Sequence, residues 1–197
     1  MQNRRNEIST GTDLTMKKQI LFIHSGGSQG PHEGSNDLVG YLKSELGHEY
    51  DLRYPQMPDP ENPHYEDWKQ LINREMESLG SSLILIGHSL GGSVLIKYLS
   101  EEGCSKNIEG LFLVAAPFFG IKDWKVHEFV LNKNFVAALP SIGKIYLYHS
   151  LNDEVVPFNH LNFYAEKFPG AIVRSFKSNL HLFSRGIPIL ISDIKNL

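Results

Sequence analysis

The sequence predicts an α/β fold: one domain with a mostly parallel six-stranded sheet flanked by helices. Three observations carry this. Short apolar runs alternate with longer stretches of helical periodicity along the chain, the pattern of repeated βαβ units. At Ser81 to Gly92 an apolar run passes through a glycine-bounded serine straight into an amphipathic stretch, S-S-L-I-L-I-G-H-S-L-G-G, which is a sharp strand-to-helix turn. The chain of 197 residues is 41% hydrophobic, enough for one sizeable core and no more than one domain.

The elements follow in order. Residues 1–16 carry no apolar periodicity and are expected to be a flexible leader, with the domain spanning 17–197. Strands are expected at Gln19–His24, Tyr50–Tyr54, Ser82–Gly87, Gly110–Ala115, Lys144–His149 and Ala171–Phe176. Leu83 to Ile86, apolar at every position, reads as a strand covered on both faces, as parallel sheets require. Helices are expected at Ser35–Leu46, His64–Leu79, Leu90–Glu102, Asn159–Phe168 and Arg185–Ile194, supplying the crossovers between parallel strands. Leu90, Val94 and Tyr98 mark the buried stripe of the third. The stretch from Pro117 to Gly143 has no clear period. Trp124, Phe129, Val130 and Phe135 suggest one or two short helices there, where a small cap could cover a pocket.

Composition narrows the function classes. The net charge of -3 is dispersed, without a basic cluster, so nucleic acid and anionic membranes are not expected partners. No apolar run approaches the roughly 18 to 20 residues that span a bilayer, and the N-terminal residues lack the apolar centre of a signal peptide. Cys104 is the single cysteine, which rules out an internal disulfide and fits a reducing cytoplasm.

The chemistry-bearing feature is Ser89. Gly87 and Gly91 leave room for the tight turn, and the serine between them is expected in a strained conformation with its hydroxyl presented at the end of the sheet. A serine hydroxyl needs a base to take its proton, and the base needs an orienting carboxylate. In an open α/β sheet those groups gather beyond the carboxyl ends of the strands. Asp153, in S-L-N-D-E-V-V-P after the fifth strand, is the candidate carboxylate, with Glu154 as its neighbour and alternative. His181, in K-S-N-L-H-L-F after the last strand, is the candidate base and completes the chain order Ser, Asp, His.

The other histidines fit structural roles better: His160 opens a helix, His149 ends a strand and His88 fills the variable place in the elbow. His32, His48, His64 and His127 are scattered, with no metal-ligand spacing among them. The loop H-S-G-G-S-Q-G-P-H-E-G after the first strand is expected to turn a backbone N–H, that of Gly26, toward the reaction centre, where it and the N–H of Leu90 would bind an oxyanion. Nucleotide phosphate is the rival ligand of such a loop, but both G-x-G-x-x-G and the lysine of G-x-x-x-x-G-K-[ST] are missing.

Taken together, I-G-H-S-L-G, M-P-D-P at Met57 to Pro60 with Trp68 downstream, N-D-E-V-V-P at Asn152 to Pro157 and H-L-F at His181 to Phe183 resemble the α/β-hydrolase superfamily. Within it the chain is similar to the small serine hydrolases of the retinoblastoma-binding serine hydrolase and YdeN type, over roughly residues 18–196. The resemblance implies a compact α/β-hydrolase core and a triad of Ser89, Asp153 and His181. Two positions depart from the family pattern. Asn179-Leu180 stands where glycine commonly precedes the histidine, and H-S-G replaces H-G after the first strand, which leaves Ser25, Gly26 and Gly27 all as oxyanion donors.

The function expected is hydrolysis of a small carboxylic ester or related acyl bond through an acyl-enzyme on Ser89, with a small-molecule acyl substrate and no cofactor or metal. A hydrolase-fold binding protein without turnover is the alternative of another class, and a thioesterase or amidase would use the same groups. Acyl preference and oligomeric state are not encoded legibly.

Overall fold

The structure, a computed structural model, describes residues 17–177 and 179–197; the expected leader at 1–16 lies outside them. Six strands, β1 (Lys18–Ile23), β2 (Tyr50–Arg53), β3 (Ser82–His88), β4 (Asn107–Val114), β5 (Ile142–Ser150) and β6 (Ile172–Phe176), form one sheet in the order β2-β1-β3-β4-β5-β6. Every pairing is parallel, so the sheet is wholly rather than mostly parallel.

The helices are α1 (Asn36–Leu46), α2 (Tyr65–Ser78), α3 (Leu90–Glu102), the four-residue α4 (Phe135–Ala138), α5 (Asn159–Lys167) and α6 (Pro188–Lys195). Strand side chains alternate between two cores, which is why the central strands are apolar at successive positions. Leu21, Ile23, Leu83, Leu85, Leu111, Leu113 and Leu147 face one core, closed by α2, α3 and α5. Ile20, Phe22, Ile84, Ile86, Phe112, Val114, Tyr146 and Tyr148 face the other, closed by α1 and α6. Among the described residues no helix is long and apolar enough to cross a membrane.

Two element boundaries differ by three residues from those expected, and the others by no more than two. β4 starts at Asn107, not Gly110, because Asn107 and Ile108 pair with Ser82 and Leu83 before a register shift leaves Glu109 as an extra residue. α6 starts at Pro188 rather than Arg185: Gly186 has φ 75°, outside helical space, and proline suits the first helical position. Pro117 to Gly143 contains a 3-10 turn at His127–Phe129 and α4, and it lays Phe119, Phe129 and Phe135 into the core beside α3.

The strand order reverses between β1 and β3, and the loops leaving a parallel sheet diverge at such a reversal. The glycine-rich loop after β1 and the turn between β3 and α3 therefore sit side by side.

Candidate active site

Ser89 stands at the start of α3 with φ 52° and ψ -126°, a conformation that L residues rarely adopt. Its backbone is pinned there: its N–H donates to the carbonyl of Val114 at 2.7 Å, and its own carbonyl accepts the N–H of Gly92 at 2.9 Å. The flanking glycines have no alternatives. A Cβ on Gly87 would lie 2.5 Å from Gly92 Cα, and one on Gly91 would run into the backbone carbonyls of Ile23 and His24. Gly92 is equally constrained, since a Cβ would lie 2.7 Å from that of Ala116. The turn thus requires three small residues where sequence reasoning named two.

His181 Nε2 lies 2.9 Å from Ser89 Oγ, and His181 Nδ1 lies 2.9 and 3.0 Å from the two oxygens of Asp153. A carboxylate can only accept, so the network assigns the ring proton to Nδ1 and leaves the Nε2 lone pair for the serine hydroxyl. An imidazole so placed can remove the hydroxyl proton, and the carboxylate behind it stabilises the charge that forms. Ser89 is 8% exposed and His181 3%, which limits competition from water for these hydrogen bonds.

Asp153 accepts more than one imidazole. Its Oδ1 takes the backbone N–H groups of Val155 and Val156 at 2.9 and 2.8 Å, and His149 Nε2 approaches Oδ2 at 3.3 Å while also facing the carbonyl of Val156 at 2.8 Å. Burial pushes the Asp153 carboxyl up, but the hydrogen bonds from His149, His181 and the Val156 N–H outweigh it and hold the group well below the usual carboxylate range. Glu154, the neighbouring alternative, points elsewhere: its carboxylate accepts the backbone N–H of His181 at 3.1 Å and not the ring.

The three candidate donors of the first loop differ in their hydrogen-bond partners. The N–H of Ser25 donates to Ser35 Oγ at 3.0 Å and that of Gly27 to the carbonyl of Pro60 at 2.6 Å. The N–H of Gly26 has no hydrogen-bond partner among the described residues, and neither has that of Leu90, the first of α3. The two residues are adjacent, because a Cβ built on Gly26 would lie 3.3 Å from Leu90 Cδ2.

M-P-D-P, which has no side-chain chemistry of its own, holds this loop through its backbone. Besides the Pro60 carbonyl, Met57 N–H donates to His24 Nε2 at 2.8 Å, and the indole N–H of Trp68 donates to the Pro58 carbonyl at 2.8 Å. His24 Nδ1 closes the circuit on the carbonyl of Ser25 at 2.6 Å, and burial lowers its pKa against that bond. Gln29 laces the loop from within, donating to the carbonyls of Ser25 and Gly27.

The remaining histidines are placed individually. His160 is buried with Nδ1 accepting the N–H of Phe118 at 2.8 Å, and burial together with His149 pushes it down to about 4. His88 is fully buried, contacting Ser35 and the backbone of His181, and burial and the neighbouring His181 push it down to about 3. His32 pairs with Asp37 and His64 with Glu128 at the surface. His48 and His127 lie in 3-10 turns. No group of three or more His, Cys, Asp or Glu among the described residues could hold a metal ion. Cys104 is half-buried beyond the end of α3 and faces the carbonyl of Lys106 at 3.8 Å.

The described fold is shared with solved structures. It superposes on the crystal structure of the ydeN gene product from B. subtilis with a TM-score of 0.76 at 20% identity, covering 91% of this chain and 98% of that one. It also matches a meta-cleavage product hydrolase from Pseudomonas fluorescens IP01 with a TM-score of 0.66 at 13% identity over 91% of each chain. A third match, an α/β serine hydrolase without lid from Xanthomonas campestris, has a TM-score of 0.62 at 15% identity, covering 90% of this chain and 79% of that one. In sequence the chain is 24% identical to YdeN of Bacillus subtilis (strain 168) over 162 residues, which are 80% of this chain and 82% of that protein. The model of the serine hydrolase family matches residues 37–183, a span that contains the β3–α3 turn, Asp153 and His181, and on that match the chain belongs to the serine hydrolase family.

Proposed function

We propose that this serine hydrolase cleaves small carboxylic esters by acyl transfer through Ser89. The observation that carries the reading is His181, whose two ring nitrogens lie within hydrogen-bond distance of Ser89 Oγ and of Asp153 at once. Ser89 attacks the acyl carbon as His181 Nε2 takes its proton, forming a tetrahedral intermediate whose oxyanion is bound by the N–H groups of Gly26 and Leu90. His181 then returns the proton to the leaving alcohol and the carbon–oxygen bond breaks. Water, deprotonated by the same nitrogen, attacks the acyl-enzyme, and the bond between the acyl carbon and Ser89 Oγ breaks as His181 returns the proton to that oxygen, freeing the acid and restoring the serine. Asp153 fixes the imidazole tautomer and stabilises the imidazolium, and each oxyanion donor contributes roughly 3 kcal/mol in the transition state.

The test pairs a fluorophosphonate probe with p-nitrophenyl esters of increasing acyl length. Wild-type protein is expected to label covalently and to turn over the short esters, and Ser89→Ala to lose the label and at least ~10⁴-fold in turnover while remaining folded. Thioesters and amides run in parallel decide the leaving-group class. A wild-type protein that binds such ligands without labelling or turnover would instead be a binding protein on a hydrolase fold.

A further inference from the structure

Ser35 precedes the first residue of α1, the position at which a serine ordinarily accepts a backbone N–H of the first helical turn. Its hydroxyl makes no such bond. It faces the other way, accepting the N–H of Ser25 at 3.0 Å and lying 2.8 Å from His88 Nδ1. On the far side of the same ring, His88 Nε2 lies 2.9 Å from the backbone carbonyl of His181. Ser35 and His88 are both fully buried, so these bonds form away from water.

The direction of every bond is fixed from its two ends. A carbonyl only accepts, so His88 Nε2 carries the ring proton and donates it to His181. A backbone N–H only donates, so Ser25 fills a lone pair of Ser35 and leaves the serine proton for the lone pair of His88 Nδ1. Ser25 Oγ, which accepts from Gln29 and lies 3.4 Å from Ser35 Oγ, gives its own proton to the second lone pair of Ser35, and every group is satisfied with the imidazole neutral. The peptide of His181 is thereby held at both sides, its N–H by Glu154 and its carbonyl by His88. The peptide of Ser25, one residue before Gly26, is held by Ser35.

We propose that His88 is a positioning residue for the hydrolytic step, tying the oxyanion loop through Ser35 and the base loop through the His181 carbonyl to the turn that carries Ser89. The proposal rests on the assignment of Ser89, His181 and Gly26 given above. It accounts for an imidazole beside the nucleophile that is too deeply buried to meet substrate. Misplacing a reacting group by about 1 Å costs on the order of a hundredfold in rate, so the frame acts on kcat and not on substrate affinity.

Four proteins test it: wild type, His88→Gln, His88→Asn and Ser35→Ala. Asparagine carries its amide near the place of Nδ1 and can still meet Ser35, but it cannot reach the His181 carbonyl. Glutamine extends an N–H to the place of Nε2 and can. Each is read for kcat and KM on a p-nitrophenyl ester and for its rate of fluorophosphonate labelling, with urea midpoints to establish that it is folded. His88→Asn and Ser35→Ala are expected to lower kcat and the labelling rate about ten- to a hundredfold with KM within about twofold, and His88→Gln to recover part of the loss. Should the asparagine variant not fold, Ser35→Ala still decides the matter, since its hydroxyl caps no helix and alanine fits the space. Folded variants that match wild type in kcat and labelling, and differ only in stability, overturn the proposal and leave the hydrolase reading intact. A wild-type protein that neither labels nor turns over any ester overturns both.

Discussion

Replacing Ser89 by glycine is expected to make the protein more stable than replacing it by alanine, the reverse of the usual order. Both substitutions remove the hydroxyl that faces His181 at 2.9 Å, so that loss cancels between them. What differs is the backbone. At φ 52° and ψ -126° a residue with a Cβ stores about 1 to 3 kcal/mol of strain that glycine does not. Against this, glycine widens the unfolded ensemble and costs about 0.4 to 1 kcal/mol relative to alanine. The balance favours Ser89→Gly by about 1 kcal/mol, or roughly 2 to 4 °C in Tm for a domain of this size. Urea unfolding of the two variants at one pH, with a common slope, reads the difference as a shift in midpoint. An alanine variant as stable as the glycine variant, or more so, would refute the strain at the turn and with it the reason for a glycine-bounded elbow.

Three further outcomes follow from the same geometry. His24, His88 and His160 are buried with their pKa values lowered, the last two to about 3 and about 4, so the unfolded chain takes up protons that the folded one refuses. For a base held neutral, stability is complete above the unfolded value near 6.5 and falls as pH drops below it, by up to about 1.4 kcal/mol per pH unit for each histidine; a urea midpoint that stays level from pH 6.5 to 4.5 would contradict this. Gly91→Ala is expected to prevent folding or to cost several kcal/mol, because its Cβ meets backbone carbonyls, whereas Gly40→Ala, exposed inside α1 with nothing within 4 Å, is expected to raise stability by about 0.5 to 1 kcal/mol. Trp68→Phe removes the donor to the Pro58 carbonyl while keeping most of the packing, and it is expected to lower kcat several-fold with little change in KM; a loss confined to stability would show that the M-P-D-P segment does not set the loop after β1 for the proposed reaction.

The parts of the molecule legible in sequence are those where side chains do the physical work. β3 reads as Leu83 to Ile86 because both its faces are buried, and α3 reads from its N-terminus because Leu90, Val94 and Tyr98 must all point inward. The polar start of β4, Asn107 and Glu109, carries no such signal, and only pairing with β3 makes it a strand. The same division runs through the site. Ser89, Asp153 and His181 are legible as candidates because their side-chain types suit the proposed chemistry and the fold class fixes where to look. Ser35 reads as the start of a helix, and nothing in its neighbours indicates that its hydroxyl serves His88 instead. M-P-D-P acts through the carbonyls of Pro58 and Pro60, which every residue type possesses, so composition cannot reveal it. Glu154 reads as a substitute for Asp153, whereas its carboxylate serves the peptide of His181.

Backbone strain connects these observations. Among the described non-glycine residues with positive φ, Ser89 and Ala115 follow the ends of β3 and β4, Leu180 and Phe183 flank His181, and Asp59 lies in M-P-D-P. At about 1 kcal/mol or more each, these five positions cost on the order of 5 kcal/mol, a large share of the 5 to 15 kcal/mol that stabilises a typical domain. Such conformations persist only where the surroundings over-determine them. At Ser89 the bonds to Val114 and Gly92 do so, and at His181, one residue after Leu180 and two before Phe183, the grip of Glu154 and His88 on its backbone does the same. The two sheet-covering cores supply the stability from which this strain is drawn. Relaxing the half-exposed Leu180 to glycine is therefore expected to raise the urea midpoint while slowing fluorophosphonate labelling, because the bonds that hold the loop in its strained form also hold the imidazole between Ser89 and Asp153, whereas the same change at Phe183, buried in the second core, would lose more packing than it relaxes.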